Sequence, residues 1–199
     1  MLAMLLLIWF GVQPHLELQL TPQLTTLTGS GTENDGFLSF YVGNASSKFG
    51  FAVGGFGDLE WDWIGVGLGV SHSSQGWHRN SPSQNASWDV NMTILQIPLE
   101  MRVFLGSPDK TYRPYLTGGV YFGHLLSTSR SDYPEVSEGD VWASNMVGFS
   151  LGAGINYEIN GFRVGGQLRI RRDLTTNFVL ADNVDTYNQS VGLSLIIGI

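Results

Sequence analysis

Residues 147–171 read VGFSLGAGINYEINGFRVGGQLRIR, and they decide the fold because two runs of alternating side chains flank the dipeptide Asn160-Gly161. In the first run, apolar residues alternate with Gly, Ser, Asn and Glu, and in the second run they alternate mainly with Arg and Gln. A period of two is typical of β-strands. Asn-Gly between two such runs predicts a tight type I′ hairpin. We therefore predict an antiparallel pair with one apolar face and one small or polar face.

The same alternation recurs along the chain and gives eight strand candidates in all. It is clearest in residues 64–70, 93–103 and 191–199. The first candidate, residues 16–20, is the least secure because Pro22 would remove a ladder hydrogen bond. Residues 37–42 are the alternative for its place.

The connections between the candidate strands alternate in length. The first long connection follows the first candidate strand and ends at about Ser47. The other long connections are residues 71–89, 127–140 and 173–186. The short ones are 57–58, 106–111 and 160–161. Short periplasmic turns and long extracellular loops are typical of outer-membrane barrels. This alternation therefore predicts that both termini are periplasmic.

Aromatic residues are placed near both sets of connections, as expected for interface girdles. Those beside the short turns are Phe56, Trp61, Trp63, Phe104, Tyr112, Tyr115, Tyr157 and Phe162. Those in or near the long connections are Trp77, Trp88, Tyr133, Trp142, Phe178 and Tyr187.

The composition limits the function classes. The 199 residues include 26 glycines and only 14% charged residues, and the mean hydropathy is +0.05. No run reaches the ~20 apolar residues of a membrane-spanning helix. A net charge of −7 argues against a nucleic-acid partner, and the absence of cysteine excludes disulfides and thiolate chemistry. Composition alone fits a membrane barrel and a soluble barrel equally.

The second face of the strands favours the membrane. A soluble eight-stranded barrel fills its interior with large apolar side chains, whereas here the second face is small and polar. We therefore predict an all-β fold, a closed antiparallel up-and-down transmembrane barrel of eight strands with a polar or small interior. The predicted lipid-facing residues are Leu95, Ile97, Leu99, Phe149, Leu151, Leu193 and Leu195.

The N-terminal segment predicts export. Its apolar run before Gly11 has the length of a signal-peptide core but lacks a preceding basic residue and a clear cleavage site. We interpret residues 1–12 as a signal peptide, truncated at its start, and residues 13–199 as the barrel domain. A first barrel strand or a plug segment is the alternative for residues 1–12.

Charged residues on the polar face predict an interior ion-pair cluster, because isolated buried charge is costly. Its members are Glu17, Glu100, Arg102, Glu158, Arg163, Arg169 and Arg171. A structural role is the expectation, with a narrow ion path as the alternative. His124 with Ser127 or Ser129 has no spacing that marks a catalytic triad. We predict no catalytic residues, no metal and no cofactor.

Three segments resemble the PorT-like outer-membrane β-barrel family of Bacteroidota. They are LQIPLEMRVFL at 95–105, RPYLTGGVYFGHLLS at 113–127, and the glycine-rich FSLGAGINY at 149–157 with the strand that follows it. The resemblance covers roughly residues 47–199. It implies an eight-stranded barrel in a Gram-negative outer membrane, inserted by the barrel assembly machinery, with outer-membrane lipid as its surroundings.

The expected function is that of a non-enzymatic, porin-like outer-membrane barrel with a structural or surface-interaction role carried by extracellular loops. Two alternatives stay open. One is an outer-membrane enzyme acting on lipid or peptide, and the other is a soluble lipocalin-like ligand-binding barrel.

Overall fold

The computed structural model describes residues 12–30, 45–81, 86–107, 110–130, 143–175 and 185–199. These residues form eight strands in one closed antiparallel barrel in which each strand pairs with its neighbours in sequence. The strands are β1 Gln13–Ser30, β2 Ala45–Glu60, β3 Ile64–Ser81, β4 Ala86–Phe104, β5 Tyr112–Arg130, β6 Asn145–Ile159, β7 Phe162–Asp173 and β8 Asp185–Gly198. The predicted fold class is confirmed. No helix among the described residues has the length and hydropathy of a membrane span.

The barrel closes by pairing β1 with β8. Leu16 and Ile199 extend this seam by exchanging two backbone hydrogen bonds, each of 2.9 Å. Pro22 lies within β1, and the β1–β8 ladder is interrupted at Thr21 and Pro22, as expected where a residue has no N–H to donate. The first predicted strand is therefore present, and the alternative at residues 37–42 lies outside the described residues.

The outer surface is an apolar belt. On β4 the outward residues of the belt run from Leu95 to Val103, and the inward residues between them include Gln96 and Glu100. All seven residues predicted to face lipid lie on this outer surface; five of them are exposed, and Leu95 and Phe149 are partly covered. Apolar side chains turned outward around a closed barrel are the pattern of a lipid-facing surface.

One end of the barrel has short turns. The β6–β7 turn is the predicted tight hairpin, with positive φ at Asn160 (51°) and Gly161 (83°), as type I′ geometry requires. The prediction of a turn at Gly57-Asp58 is wrong, because both residues lie inside β2 and the turn is at 61–63. Gly-Asp is common turn chemistry, but here the Asp58 side chain is buried in the barrel. Hereafter this end is called the short-turn end.

The opposite end, called the long-connection end, has strands that continue past the belt. The polar stretch 71–89 was predicted as a long loop, but β3 extends to Ser81 and β4 begins at Ala86. Similarly, β5 extends to Arg130, into the stretch predicted as a loop from residue 127. Polar residues on both faces look like loop sequence, yet beyond a belt both faces of a strand can be polar.

The aromatic residues divide between the two faces of the wall. At the short-turn end the outward ones form the predicted girdle: Trp61, Trp63, Tyr112, Tyr157 and Phe162. The girdle prediction is wrong for four others, which point inward and are buried: Phe56, Trp77, Phe104 and Tyr115. The interior is therefore not only small and polar, since it also holds large aromatic rings. Tyr133, Trp142 and Phe178 lie outside the described residues, as does the side chain of Trp88.

Candidate functional site

The barrel interior is the most highly organised part of the molecule, and its lowest layer lies near the short-turn end. There Arg163 donates two hydrogen bonds to Glu60, one to Glu17 at 3.1 Å and one to Glu158 at 2.8 Å. Arg113 donates to Glu60 at 3.2 Å. These side chains come from β1, β2, β5, β6 and β7, so the layer links five strands across the barrel axis.

The next layer is centred on a two-point ion pair. Arg102 donates from Nη1 and Nη2 to the two carboxylate oxygens of Glu17 at 2.8 and 2.7 Å. Asp58 lies 3.4 Å from the same guanidinium. The Arg102 guanidinium also lies 5.3 Å from the ring centroid of Tyr115. Paired hydrogen bonds between a guanidinium and a carboxylate are among the strongest in proteins and fix both side chains in one geometry.

The middle of the barrel holds a third layer. Arg169 Nη2 donates to Glu100 at 2.9 Å, to Gln167 at 3.1 Å and to Gln19 at 3.2 Å. Arg171 donates to Gln96 at 2.7 Å and lies over the Tyr121 ring at 5.9 Å. The β7 arginines thus reach across the barrel, Arg163 to Glu60 on β2 and Arg169 and Arg171 to Glu100 and Gln96 on β4.

Toward the long-connection end most of the described inward side chains are uncharged, although the inward Asp173 is a carboxylate. Gln23 and Gln75 both donate to Ser73 Oγ, at 2.9 and 3.1 Å. Tyr121 donates a hydrogen bond to Asp173 at 2.5 Å. Inward apolar residues then cover this end of the interior: Trp77, Val90, Met92, Ile94 and Met146.

The structure therefore brings together the residues that the sequence placed in the interior. Glu17, Glu100, Arg102, Arg163, Arg169 and Arg171 are buried, while Glu158 is at the short-turn rim with its side chain 37% exposed. Sequence analysis missed Asp58, Glu60 and Arg113. Asp58 was assigned to a turn, and the parity of the strand that contains Arg113 was ambiguous because both of its faces carry apolar groups. Continuing the alternation from Phe56 through Asp58 to Glu60 would have identified two of the three.

The interior has the arrangement of a packed core rather than a pore. Arg102, Arg163 and Arg169 are only 1–2% exposed, although their guanidinium groups cross the barrel. A water-filled channel past them would leave these side chains accessible. Among the described side chains, this cross-section of the barrel is therefore closed to free diffusion.

The histidines are not arranged as a catalytic group in the described part of the chain. His124 Nδ1 lies 2.8 Å from Asn145 Oδ1 on the outer surface. His15 Nε2 lies 3.8 Å from Glu60 at the short-turn end. Within the described ranges, no group of three or more His, Asp or Glu is placed to hold a metal ion.

An exposed ion-pair cluster lies beyond the belt at the long-connection end. His78 Nδ1 is 2.7 Å from Asp89 Oδ1, and Lys48 Nζ is 3.6 Å from the same oxygen. The hydrogen bond from His78 and the charge of Lys48 lower the pKa of Asp89 below its usual 3.8. Charge-assisted hydrogen bonds favour the ionised carboxylate in this way.

This cluster leads to a prediction about pH. A lowered pKa in the folded state means that the pair stabilises the protein above the unfolded pKa and that this contribution is lost as the pH falls through the folded pKa. We expect His78→Ala, which removes the hydrogen-bond donor, to raise the pKa of Asp89, measured by NMR titration of its carboxyl carbon in micelles. An Asp89 pKa unchanged by this substitution would show that the hydrogen bond has no such effect.

Comparisons with known proteins agree with this architecture. The family model described as "Outer membrane protein beta-barrel domain" matches residues 20–179. The crystal structure of Neisserial surface protein A (NspA) superposes with a TM-score of 0.57 at 13% identity, covering 95% of this chain and 98% of that one. OprG from Pseudomonas aeruginosa is also similar, with a TM-score of 0.49 at 13% identity and coverage of 92% and 94%. No curated protein matches the sequence.

Proposed function

Because the chain belongs to the outer membrane protein β-barrel domain family, we propose that it is a non-enzymatic barrel whose long connections carry a structural or surface-interaction role. The observation that carries the proposal is the filled interior, in which Arg102, Arg163 and Arg169 are paired and inaccessible. A barrel closed in this way serves as an anchor, and the part left to meet other molecules is the surface outside the belt.

The shape of the long-connection end supports the same proposal. β3, β4 and β5 extend beyond the apolar belt there, whereas the other end stops at short turns. Rigid strands that project from a membrane are a suitable support for variable connecting segments, because binding residues are commonly carried on loops held by a rigid scaffold. With short turns on the periplasmic side, the projecting end faces outside and both termini are periplasmic.

A protease-accessibility experiment tests this orientation. A cleavage site inserted into residues 131–142 is expected to be cut in intact cells, and one inserted at Gly106 only after the outer membrane is permeabilised. Both variants should still show heat-modifiable migration on a detergent gel. Cleavage at Gly106 in intact cells would overturn the proposed orientation.

Two further measurements test the role itself. Purified protein in planar bilayers is expected to show no stable single-channel conductance, because the arginine layers close the interior. Shortening the connections 31–44, 131–142 and 176–184 is expected to abolish attachment of expressing cells to surfaces while heat-modifiable migration is retained. Steady conductance, or attachment that survives the shortening, would contradict the proposal.

The finer assignment to the PorT-like branch of Bacteroidota is also a proposal. It is supported by where the resembling segments lie: residues 95–104 form the half of β4 next to the short-turn end, residues 113–127 lie in β5, and residues 149–157 lie in β6. The signal peptide stays a prediction, since residues 1–11 lie outside the described residues. N-terminal sequencing of the exported protein tests it, with Gln13 as the expected first residue.

A further inference from the structure

The two edges of the apolar belt differ in chemistry. The short-turn edge carries outward aromatic side chains, among them Trp63 and Phe162. Toward the long-connection end the outward side chain that follows Ile170 on β7 is the cation Arg172. A cationic side chain at this height of the wall fits an anionic headgroup.

Arg172 stands out at this edge because it adjoins a cavity. The cavity has a volume of about 340 Å³ and is lined by Phe149, Arg172, Asp173, Leu174 and Tyr187. Its walls on the outer surface are apolar or aromatic, and Leu174 is 56% exposed. The Leu174 backbone N–H donates to the Val147 carbonyl at 2.7 Å, which holds the end of β7 in place. The cavity therefore lies at the end of β7, between β6 and β8.

The charge of Arg172 is available to a ligand. Its guanidinium lies 5.6 Å from the ring centroid of Tyr187, an arrangement that orients the cation without neutralising it. Asp173, the nearest carboxylate in sequence, is buried and accepts the hydrogen bond of Tyr121 instead. Among the carboxylates whose side chains the structure describes, none lies within ion-pair distance of Arg172.

We propose that Arg172 and the adjoining cavity bind a lipid with a phosphorylated headgroup, the phosphate on the Arg172 guanidinium and an acyl chain against Phe149 and Ile170. The planar guanidinium donates paired hydrogen bonds to phosphate oxygens. Ile170 directly below continues the apolar surface, so an acyl chain can follow the wall into the membrane. If the long-connection end faces outside, as proposed above, the lipid belongs to the outer leaflet.

The test uses the full chain in maltoside micelles and native mass spectrometry. The probes are bisphosphorylated lipid A, the same lipid without its phosphates, and inorganic phosphate. We expect one bound lipid A, and about tenfold weaker binding for Arg172→Gln, the size of one charge-assisted hydrogen bond. Phe149→Ser should also weaken lipid A binding, because Phe149 lines the cavity beside Arg172. The dephosphorylated lipid and inorganic phosphate should bind more weakly than lipid A.

The chain offers a matched control in Lys110, an exposed cation 6.0 Å from the Tyr112 ring at the short-turn end. Lys110→Gln is expected to leave lipid binding unchanged. Equal losses in the two variants, no loss in Arg172→Gln, or equal binding of dephosphorylated lipid would overturn the proposal. Binding of inorganic phosphate as tight as that of lipid A would overturn the lipid assignment. Because the protein is solubilised in this test, its outcomes do not depend on the proposed orientation in the membrane or on the proposed role of the long connections.

Discussion

Glu17→Ala is expected to lower the free energy of unfolding by about 3–5 kcal/mol, the usual cost of removing one partner from a buried ion pair. Glu17 accepts two hydrogen bonds from Arg102 and one from Arg163. Its removal leaves the Arg102 charge in a closed interior, with Asp58 at 3.4 Å as its remaining carboxylate partner among the described side chains. Urea unfolding of the barrel in micelles, followed by tryptophan fluorescence, measures the change.

Glu158→Ala is the matched control, because Glu158 bonds the same Arg163 but its side chain is 37% exposed. Water replaces a partner at such a site, so a change of only about 0–1 kcal/mol is expected. The double variant Glu17→Ala with Arg102→Ala should be less destabilised than the sum of the two single variants. Similar losses in Glu17→Ala and Glu158→Ala would show that burial does not determine the strength of these pairs.

Gly154→Val is the second large prediction, with a loss of about 3 kcal/mol or more, at the upper end of what overpacking costs. Gly154 points inward, and a Cβ there would lie 2.5 Å from Tyr115 Cζ and 2.7 Å from the Gly166 carbonyl oxygen. A valine side chain at this position would have the Gly166 backbone on one side and the buried Tyr115 ring on the other, so it could not avoid a clash by changing its rotamer. Loss of heat-modifiable migration, or unfolding at a lower urea concentration, is the expected result.

Gly166→Val on the neighbouring strand is the control. Gly166 faces outward, and the nearest atom to an added Cβ is Ser194 O at 3.9 Å. A β-branched residue is favourable on an open strand surface, so we expect stability to be unchanged or slightly higher. A Gly154→Val protein as stable as Gly166→Val would show that Tyr115 does not require the glycine beneath its ring.

The sequence was sufficient for the fold because a barrel wall imposes a local rule. Each strand has one lipid-facing side and one interior side, so alternation alone assigned Leu193, Leu195 and their equivalents to the outside. The order of the strands also followed from the sequence, since each strand pairs with the next one and the last pairs with the first. The Asn160-Gly161 hairpin was readable because its two positive φ angles require specific residues.

The interior partners could not be predicted because they depend on register. Glu17 and Arg102 are 85 positions apart, and only the stagger of four strands brings them to the same level of the barrel. The inward aromatic residues were misassigned for a related reason, since Phe104 and Tyr115 at the end of a strand are equally consistent with a girdle. Strand ends were also misjudged where polar residues such as Ser71 and Ser73 continue a strand beyond the apolar belt.

The β1–β8 seam has a consequence for the order of assembly. Every other pairing joins consecutive strands, so hairpins can form while the polypeptide is still being delivered to the membrane. The seam joins Leu16 to Ile199 and therefore cannot form until residues 185–199 have arrived. Until then β1 and β7 present open edges, whose unpaired backbone groups are costly in lipid. A chain that stops short of β8 therefore keeps two edges of unpaired backbone groups, whereas pairing of β1 with β8 leaves the barrel with none.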